Sequence, residues 1–497
     1  MSRTFAHTSR PASRRAWLAV VAATLAAGCG TQSESQKKEE APPPAPATTA
    51  ESTASAEPAD AAPAADTEAD RKRLVDRALA RVPQIEEGVA KLRGRPFRSP
   101  VPAEYQDQDA FRAFVRQEIA RELPPEKNRN LGRALAHLGL IDKPLDLAKV
   151  AEDAMVSQAG AYYDPKQKKF FVVMVPGNDM MLDTISSHEL THALQDQYFD
   201  LERFYYGHDG DGPPKYSEDE LNARRFLVEG EATFVMVAYM AYAMAKVNML
   251  EPKLVGQLRP QIDQFANMTI DQLRAMTKQQ ASALGELGDD FKRSIDALDS
   301  IPLYVLVPLL ASYTKGVLPV YEAYVAGGWD AVDALYKNPP ASTEQVLHPA
   351  DKLVRTRDEP VHIALAAPRG AAPIHEETIG ELGWRVYFMQ WQAADPVGAA
   401  AGWDGDRVAV YERDGALVGL IATTWDTNAD AKEFAEAYIA SLDKRFPGAE
   451  KADARIVTTV TRPDGGKVLV QRKGQHVFIV DGGTEADLKL VTRARMK

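Results

Sequence analysis

Apolar residues recur at intervals of three and four over much of the chain, which is the period of an amphipathic helix. This pattern begins near residue 70, returns over 108–124 and 130–141, and fills most of 257–337. It is broken at GAYYDPKQKKFFVVMV, residues 160–175, whose apolar runs flank a turn at 164–167 and predict two short strands. PGND at 176–179 then ends the strand pattern and can cap a following helix. The pattern predicts a mainly helical domain with a short sheet.

The texture changes after residue 355. The segments RVAVYE, ALVGLIATTW, ARIVTTVTRP, KVLVQR and HVFIVDG are strand-like, and TNADAKEFAEAYIASLDKRF predicts a single amphipathic helix among them. We therefore expect an α+β protein of two folded parts. A helical domain with a short sheet spans 70–355, and a small α+β domain spans 356–497.

The N-terminal residues have the pattern of a targeting signal. Four arginines precede an apolar stretch at 17–27, which is too short to span a bilayer and ends in LAAGC. This resembles a bacterial lipoprotein signal over 1–28, in which Cys29 becomes the lipidated first residue and anchors the chain in the membrane. Gly30 is not the aspartate that retains some lipoproteins in the inner membrane, which favours the outer one. The alternative is a plain secreted protein with an incidental cysteine, since Leu25 stands one place further from Cys29 than usual.

Residues 29–69 consist mainly of Ala, Pro, Thr, Ser and Glu. With almost no large apolar side chains, such a segment cannot offset the entropy lost on ordering. We expect a disordered tether between the lipid and the folded part.

Charge and cysteine content exclude two further possibilities. The chain has 59 basic and 70 acidic side chains, a net charge of −11. The predicted signal over 1–28 contains four basic and no acidic side chains, so its removal makes the chain more acidic. Since affinity for nucleic acid depends on neutralising phosphates, an acidic chain without a long basic run is a poor candidate for it. A single cysteine excludes an internal disulfide.

The helix after PGND carries SHELTHALQDQ, with His188 and His192 four residues apart. Residues four apart lie on one face of a helix, so both imidazoles can reach one zinc ion at about 2.0–2.1 Å. Glu189 is turned by about 100° from His188 and can act on a water molecule instead. HExxH is therefore a hydrolytic geometry, with two ligands and a general base in five residues.

A catalytic zinc needs a third protein ligand. FLVEGEATFV, downstream in a predicted helix from Glu218, offers Glu229 and Glu231 within an otherwise apolar stretch. Unpaired buried charge is costly, so two carboxylates there need a reason, and a metal ion supplies one. The alternative is a helix that turns both glutamates to solvent.

HELTH followed by EGEA resembles the gluzincin branch of zinc metallopeptidases, the thermolysin-like proteins. The resemblance covers about residues 155–245, and the layout through STEQVLHP is similar to exported zinc-peptidase-like proteins of bacteria and archaea. It implies a zincin-like fold, peptide or protein substrates, and one catalytic Zn²⁺ held by His188, His192 and Glu229, with Glu231 as runner-up. The sequence departs from thermolysin at Thr233, where that family has an aspartate that supports a histidine ligand.

The resemblance also implies a histidine or tyrosine that stabilises the oxyanion. His348 is the first candidate, and Tyr205, Tyr206 and Tyr216 are others. KKFFVVMV resembles the strand of such enzymes that lines the cleft and pairs with extended peptide.

Three functions follow for comparison. The first is a membrane-anchored zinc peptidase with Glu189 as general base. The second is a catalytically inactive, zinc-containing binding lipoprotein of the cell envelope. The third is an interaction lipoprotein with a fortuitous motif, against which the EGEA helix argues.

Overall fold

The computed structural model describes residues 68–158, 160–173, 179–208, 214–273, 275, 300–454 and 456–497. The predicted signal, Cys29 and nearly all of the tether lie outside these residues. So do residues 176–178 of PGND, the polar segment DGDG at 209–212, and the helical pattern within 276–299. Those expectations stay predictions.

The N-terminal part is an arrangement of helices around a small sheet. The three strands lie in the order β1-β3-β2, with β1 parallel and β2 antiparallel to the central β3. The turn between β2 and β3 falls where the sequence predicts it. The elements are α1 (Glu68–Arg93), β1 (Ala103–Tyr105), α2 (Gln108–Glu122), α3 (Pro125–Leu138), α4 (Leu147–Gln158), β2 (Ala161–Asp164) and β3 (Lys169–Val172).

Two long helices form the centre of this part, and one of them carries HELTH while the other carries EGEA. The second helix begins with a capping box, in which Glu220 N donates to Ser217 Oγ (3.2 Å) and Ser217 N donates to the Glu220 carboxylate (2.8 Å). The helices are α5 (Asp179–Phe199), α6 (Leu201–Tyr206), α7 (Glu218–Ala245), α8 (Arg259–Ala266), α9 (Leu303–Thr314), α10 (Val317–Lys337, interrupted at Gly327 and Gly328) and α11 (Thr343–Leu347).

The C-terminal part is built on a seven-stranded antiparallel sheet in the order β5-β6-β7-β11-β10-β9-β8. It has more elements than the sequence predicts: α12, α14, β4, β5, β8 and β12 are additional. The elements are β4 (Ile363–Ala364), β5 (Ala372–Glu377), α12 (Gly380–Gln390), β6 (Trp403–Arg413), β7 (Ala416–Trp425), α13 (Asn428–Arg445), β8 (Glu450–Ala454), β9 (Val457–Thr461), β10 (Lys467–Lys473), β11 (His476–Asp481), α14 (Glu485–Val491) and β12 (Arg495–Met496). The whole chain is therefore α+β, as predicted.

The two parts share a hydrophobic core. Leu135 and Leu138 of α3 are buried in one cluster with Trp384 of α12 and Phe434 of α13. Because an element from the first part completes the core of the second, the two parts are packed together rather than joined only by the linker near residue 355.

Within the described residues, two helical stretches are long and apolar enough to cross a membrane by length and composition. They are Glu218–Ala245 and the stretch Leu303–Lys337, and 72% and 56% of their apolar windows are buried inside the protein. Core helices of folded domains meet the same criterion, and α7 is a core helix here.

Gly230 separates the two glutamates of EGEA because two backbones meet there. A Cβ at residue 230 would lie 1.9 Å from the carbonyl oxygen of Gly316, and a Cβ at Gly316 would lie 2.3 Å from the carbonyl oxygen of Phe226. Only glycine allows this approach of α7 to the chain between α9 and α10.

We expect Gly230→Ala to destabilise the protein by about 3 kcal/mol, at the top of the usual range for overpacking, because backbone cannot yield as a side chain can. The measurement is the free energy of unfolding in denaturant. Gly256→Ala is the matched control, since nothing lies within 4 Å of its Cβ position. A loss at Gly230 no larger than at Gly256 would contradict this interpretation.

Candidate metal centre

The structure brings His188, His192 and Glu229 together in the core. Helix α5 presents both histidines to α7, and the three side chains are 1%, 4% and 2% exposed. His188 Nε2 lies 3.1 Å from His192 Nε2 and 3.1 Å from Glu229 Oε2, and His192 Nε2 lies 3.4 Å from the same oxygen. Three donor atoms thus converge on one point.

Their spacing fits a zinc ion. Ligands at about 2.0–2.1 Å from a tetrahedral zinc are about 3.3–3.4 Å from one another, close to the three separations observed. Two imidazoles and one carboxylate are also an established donor set for catalytic zinc, which leaves the fourth position open. The residues present therefore fit the metal that the sequence implies.

The charges in the cluster depend strongly on one another. Burial disfavours the charged form of His192, but Glu229 outweighs it and raises the pKa of His192 to about 9. Burial also opposes ionisation of Glu229, yet the two histidines hold its pKa well below the usual range. These shifts favour a protonated His192 beside the Glu229 carboxylate, and a divalent cation bound there would displace that proton.

Glu231, the runner-up ligand, faces away from this point. Its carboxylate forms a salt bridge with the buried Arg93 and accepts hydrogen bonds from the Tyr336 hydroxyl and from Gln195 Nε2 (3.1 Å). Neither glutamate of EGEA is turned to solvent, since Glu231 is only 1% exposed. Glu229 therefore belongs to the candidate metal cluster, formed by His188, His192 and Glu229, and Glu231 belongs to a hydrogen-bonded supporting network beside it.

That network orients one ligand. Gln195 Oε1 lies 2.8 Å from His192 Nδ1, while its amide nitrogen donates to the Val228 carbonyl (2.9 Å) and the Tyr336 hydroxyl (2.9 Å). Since the amide nitrogen faces acceptors, Oε1 must accept from His192 Nδ1–H, and Nε2 keeps its lone pair for the metal. The sequence places Gln195 one turn after His192, but nothing in it links Arg93 to the site.

His188 has a different surrounding. Its Nδ1 is buried without a hydrogen-bond partner among the described residues, and so is the Thr233 hydroxyl, at the position where thermolysin-like proteins have aspartate. The His188 ring instead lies against Tyr313 (centroids 5.6 Å apart) and edge-on to His192 (4.7 Å). The departure noted in the sequence therefore leaves this ligand positioned mainly by ring contacts.

Glu189 is placed beside the ligands and is not one of them. It is 1% exposed, and its carboxylate accepts the backbone N–H of Tyr163 in β2 (3.0 Å). Burial raises the pKa of Glu189 to about 8, although His192 acts to lower it. Tyr163 also donates from its hydroxyl to Asp196 (2.6 Å), so β2 is fixed to α5 at two points.

Among the tyrosine candidates, Tyr205 has a hydroxyl whose pKa is influenced by the Glu229 carboxylate. That hydroxyl is buried and has no hydrogen-bond partner among the described residues. Burial and the Glu229 carboxylate raise the pKa of Tyr205 well above its usual value, while Arg225 acts to lower it. Tyr216 lies elsewhere, with its ring 3.7 Å from the Arg224 guanidinium, and Tyr206 is buried in the core.

The structure pairs His348 with side chains of the C-terminal domain, and its role beside the oxyanion stays a prediction. His348 Nε2 lies 3.1 Å from the Glu381 carboxylate and 3.3 Å from Arg385 Nη2, both on α12. In the part of the chain that the structure describes, no hydrogen bond or ion pair joins it to the metal cluster. His348 follows the last residue of α11 and forms part of the contact between the two domains. The local sequence, which contains a capping motif, does not indicate this contact.

The expected peptide-binding strand is corrected. β3, formed by Lys169–Val172 within KKFFVVMV, has β1 on one side and β2 on the other, so neither edge is free. β2 is the edge strand next to α5. The sequence predicts the hairpin but cannot show that β1, from more than 50 residues upstream, covers the far side of β3.

A second group of acidic side chains, Glu344, Asp358 and Asp426, also has the spacing of a metal site. The ammonium group of Lys352 lies at its centre, 3.1, 2.6 and 2.7 Å from the three carboxylates. The lysine supplies the positive charge, so this group is an ion-pair cluster between the domains.

Comparison with known families gives one match. A family model described as a domain of unknown function, DUF8575, matches residues 370–492, within the C-terminal domain. The comparison with curated proteins found no match, and neither did that with solved structures. The metal cluster lies outside the matched range.

The two glutamates give contrasting predictions. Glu229→Ala removes a donor atom from the cluster, so we expect zinc affinity to fall at least about a hundredfold, beyond the usual loss for a supporting residue. Glu231→Gln, which alters only the supporting network, is expected to weaken binding by about 10–100-fold. Competition with a chromogenic chelator measures both. Equal losses, or a larger loss for Glu231→Gln, would contradict the assignment of Glu229.

Proposed function

We propose that the protein is a zinc-dependent peptidase. The observation that carries this proposal is the convergence of three donor atoms at 3.1–3.4 Å, with the carboxylate of Glu189 on the adjoining face of the same helix. That arrangement supplies a metal position and a separate proton acceptor, which peptide hydrolysis requires. A zincin-like fold of the helical domain is part of the proposal.

The roles of the side chains follow from their positions. His188, His192 and Glu229 would hold Zn²⁺, which when bound acts as a Lewis acid and lowers the pKa of a water ligand. Glu189 accepts a proton and then returns it to the leaving amine. Tyr205 donates a hydrogen bond to the substrate oxygen that gains negative charge, because its hydroxyl has no hydrogen-bond partner among the described residues.

The edge of β2 is suited to hold the substrate. Its backbone at Tyr163 adjoins Glu189, so an extended peptide paired along this edge would pass the proton acceptor. This replaces β3 as the peptide-binding strand.

The N-terminal features belong to the same proposal. A lipid on Cys29 and a proline-rich tether would hold the peptidase in the cell envelope. Gly30, the residue after the cysteine, favours the outer membrane. Substrates would then be peptides or proteins outside the cytoplasm.

The proposal is tested by incubating the zinc-loaded chain with unfolded casein and a mixed peptide library. We expect new peptide termini, identified by mass spectrometry, that are absent with Glu229→Ala. Zinc retained with no cleavage in any mixture would overturn the proposal. It would favour the alternative, an inactive zinc-containing binding lipoprotein.

Tyr205 gives a narrower test. Tyr205→Phe removes only the hydroxyl, so we expect kcat to fall by about 10²-fold, as for loss of one oxyanion donor, with zinc content and melting temperature unchanged. Tyr216→Phe is the matched control and should leave kcat unchanged. Wild-type kcat in Tyr205→Phe would mean that the hydroxyl has no part in the reaction.

A further inference from the structure

A cavity of about 110 Å³ lies between the helical domain and the C-terminal domain. Helices α2, α3, α4, α7 and α9 form one side of it. The other side is formed by the end of β5 and the start of α12, within the range matched by the family of unknown function. The residues on this second side are His375, Glu377, Ile379, Leu382 and Gly383.

The cavity adjoins the metal cluster along α7. Glu218, Asn222 and Arg225 line the cavity, and they are spaced with Glu229 at intervals of four, three and four. These intervals place all four side chains on one face of the helix. Arg225 is one turn, about 6 Å along the axis, from the metal ligand. A peptide bound at the metal would therefore reach the cavity with a neighbouring residue.

The chemistry of the cavity favours an apolar occupant. Leu123, Leu131, Leu135, Leu147 and Leu309 contribute to its walls. Of its carboxylates, that of Glu377 accepts the backbone N–H groups of Glu218 and Thr378, at 2.9 Å each. At about 110 Å³ the cavity is smaller than the apolar cavity of about 150 Å³ that holds a benzene molecule, so its size suits a single apolar side chain such as that of leucine.

The start of α12 in the C-terminal domain packs closely against the first turn of α7, beside the cavity. The carboxylate of Asp219 accepts the Thr343 hydroxyl (2.5 Å) and lies where a Cβ of Gly380 would be, 1.7 Å away. Gly380 has a φ of +76°, and its N–H donates to the buried Asp406 (2.9 Å). Because α12 begins at this point, the first turns of α7 and α12 fix each other.

We infer that the C-terminal domain supplies one wall of a substrate pocket, which selects peptides with a large apolar side chain close to the cleaved bond. This inference rests on the proposed peptidase function. It assigns the matched domain a role in substrate selection, and it explains why that domain packs against the helix of a metal ligand.

The test measures binding, so that it does not depend on turnover. Zinc-loaded Glu189→Gln full-length protein is titrated calorimetrically with blocked hexapeptides that differ at one position, which carries Leu, Phe, Ala, Asp or Lys. We expect the Leu or Phe peptide to bind about 10–100-fold more tightly than the Ala peptide at one position of the series.

Two substitutions in this background connect the preference to the cavity. Val305→Trp fills the cavity from α9 and should reduce the affinity for the Leu peptide to that for the Ala peptide. Leu382→Ala enlarges the cavity from the C-terminal domain and should move the preference from Leu to Phe or Trp. Val397→Trp, at a 53% exposed position outside the cavity, is the control and should change nothing.

The outcomes separate this inference from the peptidase proposal. Uniform affinity across the series, tighter binding of the Lys or Asp peptide, or an unchanged preference in both cavity variants would overturn the pocket, even if the wild type cleaves peptides. The expected preference without cleavage by the wild type would leave the pocket standing and overturn the peptidase.

Discussion

Glu189→Gln is expected to lower kcat by about 10²–10⁴-fold, the range for loss of a general acid–base group, while zinc stays bound. Glutamine keeps the volume of the side chain and an oxygen for the Tyr163 N–H, but it cannot accept a proton. Because Glu189 is not among the three converging donor atoms, the metal content should remain one per chain. Steady-state kinetics and metal analysis of the same sample measure the two effects.

Glu412→Gln is the matched control for this substitution. Glu412 pairs with Arg133 away from the metal cluster, so the same chemical change should leave kcat within experimental error of the wild type. An active Glu189→Gln protein would remove Glu189 from the mechanism. A variant that loses its zinc would mean that Glu189 supports the metal.

Arg93→Met is expected to cost about 3–5 kcal/mol of stability and to weaken zinc binding by about 10–100-fold. The Arg93 guanidinium is 2% exposed and pairs with Glu231 and Asp333, which are buried as well. Its removal leaves the buried Glu231 carboxylate without its counterion, while Asp333 keeps its ion pair with Arg95. Glu231 in turn holds Gln195, which orients His192, so the loss should extend to the metal. Denaturant unfolding and chelator competition measure the two effects.

Arg259→Met provides the comparison. Arg259 is 48% exposed and pairs with Asp263 and Glu322, which are 43% and 16% exposed, and each ion pair of so exposed an arginine contributes about 0–1 kcal/mol. Combining Arg93→Met with Glu231→Gln should recover part of the lost stability, because the charge left alone is removed too. A loss at Arg93 as small as at Arg259 would contradict its place in the supporting network.

The sequence predicts the parts of the site that are local in the chain. His188, Glu189 and His192 share one helix, and the apolar surroundings of Glu229 and Glu231 already require a buried partner for each. The choice between the two glutamates needs the structure, because it depends on Arg93 and Tyr336, which lie 138 and 105 residues away from Glu231.

The contacts of His348 and β3 depend on residues that are distant in the chain. His348 is predicted from its residue type and its order in the chain, whereas its partners Glu381 and Arg385 lie on α12. β3 was chosen for its apolar run, but that run reflects a central strand covered on both edges rather than one open to substrate. Helix α12 is not predicted because GELGWRVYFMQ is buried on most sides, so apolar residues at 382, 384 and 386–389 cover more than one face of the helix.

The proposed function requires one zinc ion, held by His188, His192 and Glu229, for peptide hydrolysis. Its most direct test is to strip the protein with a chelator and to follow the initial rate of peptide cleavage while zinc is restored stepwise. We expect no cleavage without metal, a linear rise of the initial rate up to one equivalent of zinc, and no further rise beyond it. Cleavage that survives the chelator, or a fully zinc-loaded protein that cleaves no peptide, would contradict it.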